Sequence, residues 1–421
     1  MPRSRIDIAD LVRRSQGLAK AAAASARAGQ AEDLSLPQRL RDVPDFGPNP
    51  GALRMRVYVP DALPPDAPLL VALHGCTQTA AGFDRGCGWS ELAERMGFAL
   101  LVPEQRQANN PNRCFNWFEP GDTARGAGEA ESIRAMVARM LATHRLDPAR
   151  VFVTGLSAGG AMAAVMLATH PEVFAAGAII AGLPYGAAAS MQEAFEAMAS
   201  GRPRSAVAWA AQVRAAAPHH SGPWPRVSIW QGEADTTVRP VNAGELLKQW
   251  TALHGLSGAP SRVEAAPGGA RRRVWRDAEG RPLVEHYALP GFAHAVPIHP
   301  GDGPERCGAA MPYILDAGIS APHRIAAFFG LAEAPEVAEA SVAAAHADAA
   351  PPPRRTGPGG TQPVPGVITV GRDGRARVDA AAGGSDPRRS ASGAPPPQPA
   401  AGEGVGGVIR RALAAAGLLR S

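Results

Sequence analysis

Gly155-Leu156-Ser157-Ala158-Gly159 sets a serine between two glycines, directly after the apolar run ARVFVT and directly before the small-residue stretch AGGAMAAVML. A strand that turns sharply into a helix at G-x-S-x-G lifts the serine hydroxyl above a sheet's carboxyl edge, beside the positive end of a helix. A serine hydroxyl is a weak nucleophile until a base takes its proton, and the base needs an acid to fix its tautomer. At such a turn the partners follow in the order Ser, acid, His. Asp235 comes just beyond the apolar run RVSIWQG; Glu233 competes for the role, but Asp235 lies one step further into the loop. His294 closes Pro290-Gly291-Phe292-Ala293-His294, where the glycine permits a tight turn. Of the other histidines, His286 sits inside a strand-like run and His299 in a Pro/Gly loop. His219 and His220 are adjacent but lack a third ligand at metal spacing.

Acyl transfer also needs hydrogen-bond donors for the oxyanion, worth roughly 3–4 kcal/mol each when removed. One is expected from the N–H after the nucleophile, that of Ala158, and the other from the loop after an earlier central strand. The run LLVALHG leads straight into His74-Gly75-Cys76-Thr77, which nominates the Cys76 N–H. His74 then holds the loop rather than serving as a base. With a serine triad complete, the Cys76 thiol has no catalytic task.

These residues need a scaffold that brings several strand ends to one edge. LRMRVYVP alternates as a strand does, while PLLVALHG, FALLVP, ARVFVTG and FAAGAIIAG are short apolar runs of the kind buried parallel strands show. RVSIWQG and LVEHYAL complete the set. Helical stretches alternate with them near Trp89–Met96, Glu129–His144, Ala158–His170, Ala243–His254 and His323–Phe329. Alternation of this kind predicts an α/β fold, a mostly parallel sheet with helices on both faces. The Ala-rich stretch from Pro184 to Pro223 breaks the rhythm, either as a cap over the site or as a helix-rich connection.

All 22 aromatic residues (11 Phe, 7 Trp, 4 Tyr) of the 421-residue chain fall between Phe46 and Phe329. Large rings dominate buried area, so a single catalytic domain is expected over residues 46–331. Residues 1–45 hold a basic amphipathic segment and a connector. Residues 332–405 are a Pro/Ala/Gly-rich linker, too poor in apolar surface to offset ordering entropy, although VITVGRDGRARV within it fits a hairpin. Residues 406–421 fit a short basic amphipathic helix.

The net charge is +5, from 43 basic and 38 acidic residues, with no long basic run, so nucleic-acid binding is not expected. The start lacks the apolar stretch of a secretory signal, and no membrane-spanning run occurs, which predicts a cytoplasmic protein. The four cysteines contain no CxxC pair, so no metal site is expected, and in a reducing compartment free or buried thiols are favoured over disulfides.

Taken together, Leu73-His74-Gly75-Cys76-Thr77-Gln78, Pro103-Glu104-Gln105, Cys114-Phe115-Asn116-Trp117-Phe118, Gly155-Leu156-Ser157-Ala158-Gly159-Gly160-Ala161-Met162 and Trp230 through Val238 resemble the polyhydroxybutyrate depolymerase-type esterases. Feruloyl and acetylxylan esterases share parts of this pattern. The resemblance spans about Leu53 to Phe329 and implies an α/β-hydrolase fold. It implies hydrolysis of carboxylic esters, poly(3-hydroxybutyrate) or its oligomers among them, without a cofactor. It carries Ser157, Asp235 and His294 as the triad and Cys76 at the oxyanion strand. Asn116 and Trp117 match positions near the substrate crevice, though a core tryptophan with a satisfied asparagine fits equally. Many such enzymes are secreted, which sets an extracellular location against the cytoplasmic expectation. A reading of another class remains, in which the amphipathic ends bind a polymer granule or a membrane surface.

Overall fold

The computed structural model describes residues 39–256, 258–332, 369–370 and 376–377. The chain divides into residues 1–342 and 343–421. In the second unit a strand pair, Thr369–Val370 with Ala376–Arg377, forms within the expected hairpin segment. The amphipathic ends and most of the linker lie outside the described residues.

The first unit is built on β1 (Arg41–Asp42), β2 (Arg54–Tyr58), β3 (Leu69–Leu73), β4 (Ala99–Glu104), β5 (Val151–Leu156), β6 (Ala176–Ile180), β7 (Arg226–Gly232), β8 (Arg262–Ala265), β9 (Arg271–Arg276) and β10 (Pro282–Leu289). They form one sheet in the order β1-β2-β4-β3-β5-β6-β7-β10-β9-β8. The six central strands, β4 through β10 in that order, pair in parallel. Antiparallel strands close both edges. A short parallel pair, β11 (Val296–Ile298) with β12 (Ile314–Asp316), stands apart from this sheet. Packed structure begins by Arg39, earlier than the first aromatic residue implied, because Leu40 is buried and β1 pairs with β2.

Nine α-helices are described: α1 (Ala80–Cys87), α2 (Trp89–Met96), α3 (Pro120–Thr123), α4 (Gly128–His144), α5 (Ala158–Thr169), α6 (Met191–Ser200), α7 (Ala206–Ala216), α8 (Val241–Leu253) and α9 (Ala321–Phe329). Alternation along β3 shows why both faces are covered. Leu69, Val71 and Leu73 join one core with α4, α5, α7 and α8, while Leu70 and Ala72 join a second with α1, α2 and α9. On that second face Phe152 of β5 stacks on Phe329 of α9, with ring centroids 4.7 Å apart. Every residue of α5 is buried, as befits a helix apolar all round. Its N-terminus is therefore held firmly behind β5.

The Pro184–Pro223 stretch is a connection. Trp209 of α7 is fully buried and its indole N–H donates to Glu245 of α8 at 2.7 Å, while Ala194 and Ala197 of α6 enter the same core.

Candidate active site

β5 delivers Ser157 to its turn in a conformation few residues tolerate, φ 56° and ψ −116°. The flanking glycines are explained by contact. A Cβ on Gly155 would lie 2.3 Å from the Gly159 carbonyl oxygen, and one on Gly159 would lie 2.2 Å from that of Leu73. The second approach also brings the start of α5 against the end of β3, the strand that carries the nominated oxyanion loop. The Ser157 N–H donates to the Ile180 oxygen of β6 at 2.9 Å, and the residue is 8% exposed.

Beyond β7, Asp235 is buried, and each carboxylate oxygen is engaged. Oδ1 accepts from the N–H groups of Thr237 (2.8 Å) and Val238 (2.9 Å). Oδ2 accepts from Gln231 Nε2 at 3.1 Å and lies 2.7 Å from His294 Nδ1. That pairing places the ring proton on Nδ1 and leaves Nε2 as the acceptor a general base needs. The acid and histidine loops touch through backbone, since a Cβ on Gly232 would be 2.3 Å from the Phe292 oxygen. Glu233, the competing acid, turns outward to an ion pair with Arg271 at 2.5 Å. Gln231, which sequence reasoning passed over, also donates to the Gly232 and Val238 oxygens. Its signal was its place two residues before Glu233 in the quoted block.

No hydrogen bond joins Ser157 Oγ to His294 among the described residues. The structure therefore brings Asp235 and His294 into contact and sets Ser157 at the end of β5, two strands from β7.

His74 is fully buried, with Nδ1 donating to the Gly75 oxygen (2.8 Å) and Nε2 accepting from the Gln105 N–H (3.1 Å). Burial holds its pKa down, so the neutral ring staples the loop, as a structural histidine should. Among the described residues neither the Cys76 N–H nor the Ala158 N–H meets an acceptor. The expectation of free thiols fails for Cys76, which forms a disulfide with Cys114 across 38 residues of chain. Sequence spacing hides this pairing because the fold, not the chain, brings the two loops together. Cys87 and Cys307 are free and buried.

The disulfide ties Cys76 to a buried polar network. Gln105 Nε2 donates to the Cys114 oxygen (3.0 Å) and to Glu129 Oε1 (2.5 Å), and Glu129 Oε2 accepts from the Asn116 N–H (2.9 Å). Burial, aided by the nearby Asp122 carboxylate, pushes the Glu129 carboxyl up to about 8. Asn116 is satisfied by Asn110 and Asp122 (both 3.1 Å), and Trp117 is 6% exposed within the core. Of the two alternatives for this pair, the contacts match framework residues rather than a crevice wall. His286 is buried against Arg273, and burial, aided by the Arg273 and Arg271 charges, drives its pKa down to about 3. No metal-ligating cluster occurs among the described residues.

The family model "Esterase PHB depolymerase" matches residues 53–274. Poly(3-hydroxyalkanoate) depolymerase C from Paucimonas lemoignei is 48% identical over 292 residues, covering 69% of this chain and 70% of that one. Acetylxylan esterase A from Aspergillus oryzae is 34% identical over 267 residues, 62% of this chain and 85% of that one. Among solved structures, an acetyl xylan esterase from Aspergillus awamori superposes with a TM-score of 0.59 at 28% identity, covering 70% of this chain and 99% of that one.

Proposed function

Since the chain belongs to the PHB depolymerase-type esterase family and is a carboxylic ester hydrolase, we propose that Ser157, His294 and Asp235 are its catalytic triad and that polyesters of short 3-hydroxy acids, or their oligomers, are its substrates. The observation that carries the triad is the 2.7 Å contact between His294 and Asp235, made across 59 residues of chain. In this reading His294 Nε2 takes the Ser157 proton as Oγ attacks the ester carbonyl. The contact between them closes as substrate binds, as loose apo geometries commonly do. The Cys76 and Ala158 N–H groups receive the negative charge that develops on the carbonyl oxygen. His294 then protonates the leaving alcohol, its Nε2 next takes a proton from the water that attacks the acyl-enzyme, and that proton passes to Ser157 Oγ as the acid product leaves.

The choice of polyester rests on the depolymerase C relative, whose identity over this region exceeds that of the acetylxylan esterase. The Cys76–Cys114 disulfide suits an oxidising compartment, which favours an extracellular location over the cytoplasmic expectation. No described helix is long and apolar enough to cross a membrane.

Hydrolysis of p-nitrophenyl butyrate, 3-hydroxybutyrate oligomers, methyl ferulate and an acetylated xylan by the protein and its Ser157→Ala variant tests both parts. The expected result is preference for the oligomers and loss of at least about 10⁴-fold in kcat in the variant. Preference for ferulate or acetylxylan would move the substrate to plant-wall esters, and an active variant would end the triad assignment.

A further inference from the structure

Met311 and Ile314 exchange both backbone hydrogen bonds, each 2.9 Å, which leaves Pro312 and Tyr313 as the centre of a two-residue turn. Proline holds φ near about −65°, and Tyr313 takes φ 64°. That is the sign pattern of a type II turn, whose second central position favours glycine or asparagine. A bulky residue there carries backbone strain. Burial does not offset it, because Tyr313 is 41% exposed.

The ring's position is nevertheless set from three sides. Val296, two residues beyond His294, donates its N–H to the Tyr313 oxygen at 2.9 Å. Gln78 Nε2 donates to the Pro312 oxygen at 3.2 Å, while Gln78 Oε1 accepts from the Gly75 N–H at 2.9 Å, so one side chain joins this turn to the oxyanion loop. Behind the turn Ile314 is fully buried against Gly86, where a Cβ would come 2.3 Å from Ile314 Cδ1. The Tyr313 ring stands edge-on to the His294 imidazole, with centroids 6.3 Å apart and planes at 74°.

We propose that Tyr313 is a specificity-determining residue whose ring contacts the alcohol portion of the ester. The inference rests on the triad reading above. His294 gives its proton to the departing alkoxide, so a group flanking the imidazole also flanks the leaving alcohol. An exposed ring at that place offers apolar contact to a hydroxyacyl or aryl alcohol and little to ethanol.

The test keeps the butyryl group constant and varies the alcohol, using ethyl butyrate and p-nitrophenyl butyrate, with the 3-hydroxybutyrate trimer as a third substrate. For Tyr313→Gly, kcat/KM falls about tenfold for p-nitrophenyl butyrate and the trimer but stays within about twofold for ethyl butyrate. The thermal midpoint of this variant holds or rises, because glycine removes the turn's strain. Tyr313→Phe, which keeps the ring, retains the wild-type ratios. Equal loss on all three substrates, a lowered midpoint in the glycine variant, unchanged ratios, or a phenylalanine variant that behaves like glycine would each overturn the proposal. Ser157→Ala measured alongside separates the two readings. An active alanine variant sinks the triad whatever Tyr313 does, whereas an inactive one beside an unaffected Tyr313→Gly sinks only the ring contact.

Discussion

The Asp235–His294 corner and the Ser157–Cys76 corner of the candidate site differ in how much of their hydrogen bonding is already made. Around Asp235 it is complete, with two backbone N–H groups, the Gln231 amide and the His294 ring on one buried carboxylate. Around Ser157 it is open, with a strained backbone and two N–H groups that lack acceptors among the described residues. The difference follows from when charge appears. In the proposed triad Asp235 must orient His294 before substrate arrives, which matches partners fixed in advance. Donors for an oxyanion lower the barrier only if they are held in place yet unused until that charge develops.

The largest effect should come from undoing the finished corner. In Asp235→Asn the amide oxygen can still accept from Thr237 and Val238, but the amide NH₂ forces the wrong histidine tautomer. A fall of about 10⁴-fold in kcat is expected with little change in thermal midpoint. A loss under tenfold would mean that this prior order does not serve catalysis.

The open corner has a different support, the Cys76–Cys114 clip. Cys114→Ala should lower stability by about 2–4 kcal/mol in denaturant unfolding, given the length of loop it closes. It should also lower kcat more than it raises KM, because the Cys76 N–H loses its fixed position. If stability drops and kcat does not, the clip serves the fold alone and the comparison weakens.

The smallest effect tests the network behind that clip. The Glu129 carboxyl is raised from 4.5 to about 8, chiefly by burial. Between those values the folded state binds a proton that the unfolded state does not, so stability falls as pH rises from about 4.5 towards 8. Glu129→Gln removes the titration. Its absolute stability drops by about 1 kcal/mol for a mismatched hydrogen bond, and its stability varies less with pH over that range. A slope identical to that of the parent would show that Glu129 is already ionised at neutral pH.

Much of this was legible in the chain. The apolar runs of β3, β4, β5, β6 and β7 announced a parallel sheet, because strands buried on both faces have no reason to alternate. The edge strands β8 and β9 escaped, since RRRVWR carries four arginines in six residues and reads as solvent-facing loop. Helix α1 escaped for a similar reason, being short and glycine-bearing, with its start fixed by the Thr79 side chain accepting from the Gly82 N–H. At the site, the glycines around Ser157 were visible because close backbone contact leaves no substitute for them. Gln231, Tyr313 and the disulfide partner of Cys76 were not, because nothing in residue type marks a side chain that works through a neighbour distant in sequence.

Sequence alone determined the central parallel strands, most of the helices between them and the serine turn, and it nominated Asp235 and His294 beyond that turn, since each depends on short-range pattern and glycine geometry. Tertiary structure alone decided three further matters. It set the buried Asp235 carboxylate against His294 and turned that of Glu233 towards Arg271. It paired Cys76 with Cys114 by setting two loops side by side. It brought Tyr313 up to His294 by joining β11 to β12. Each depends on contacts between segments whose separation along the chain carries no information about their distance in space.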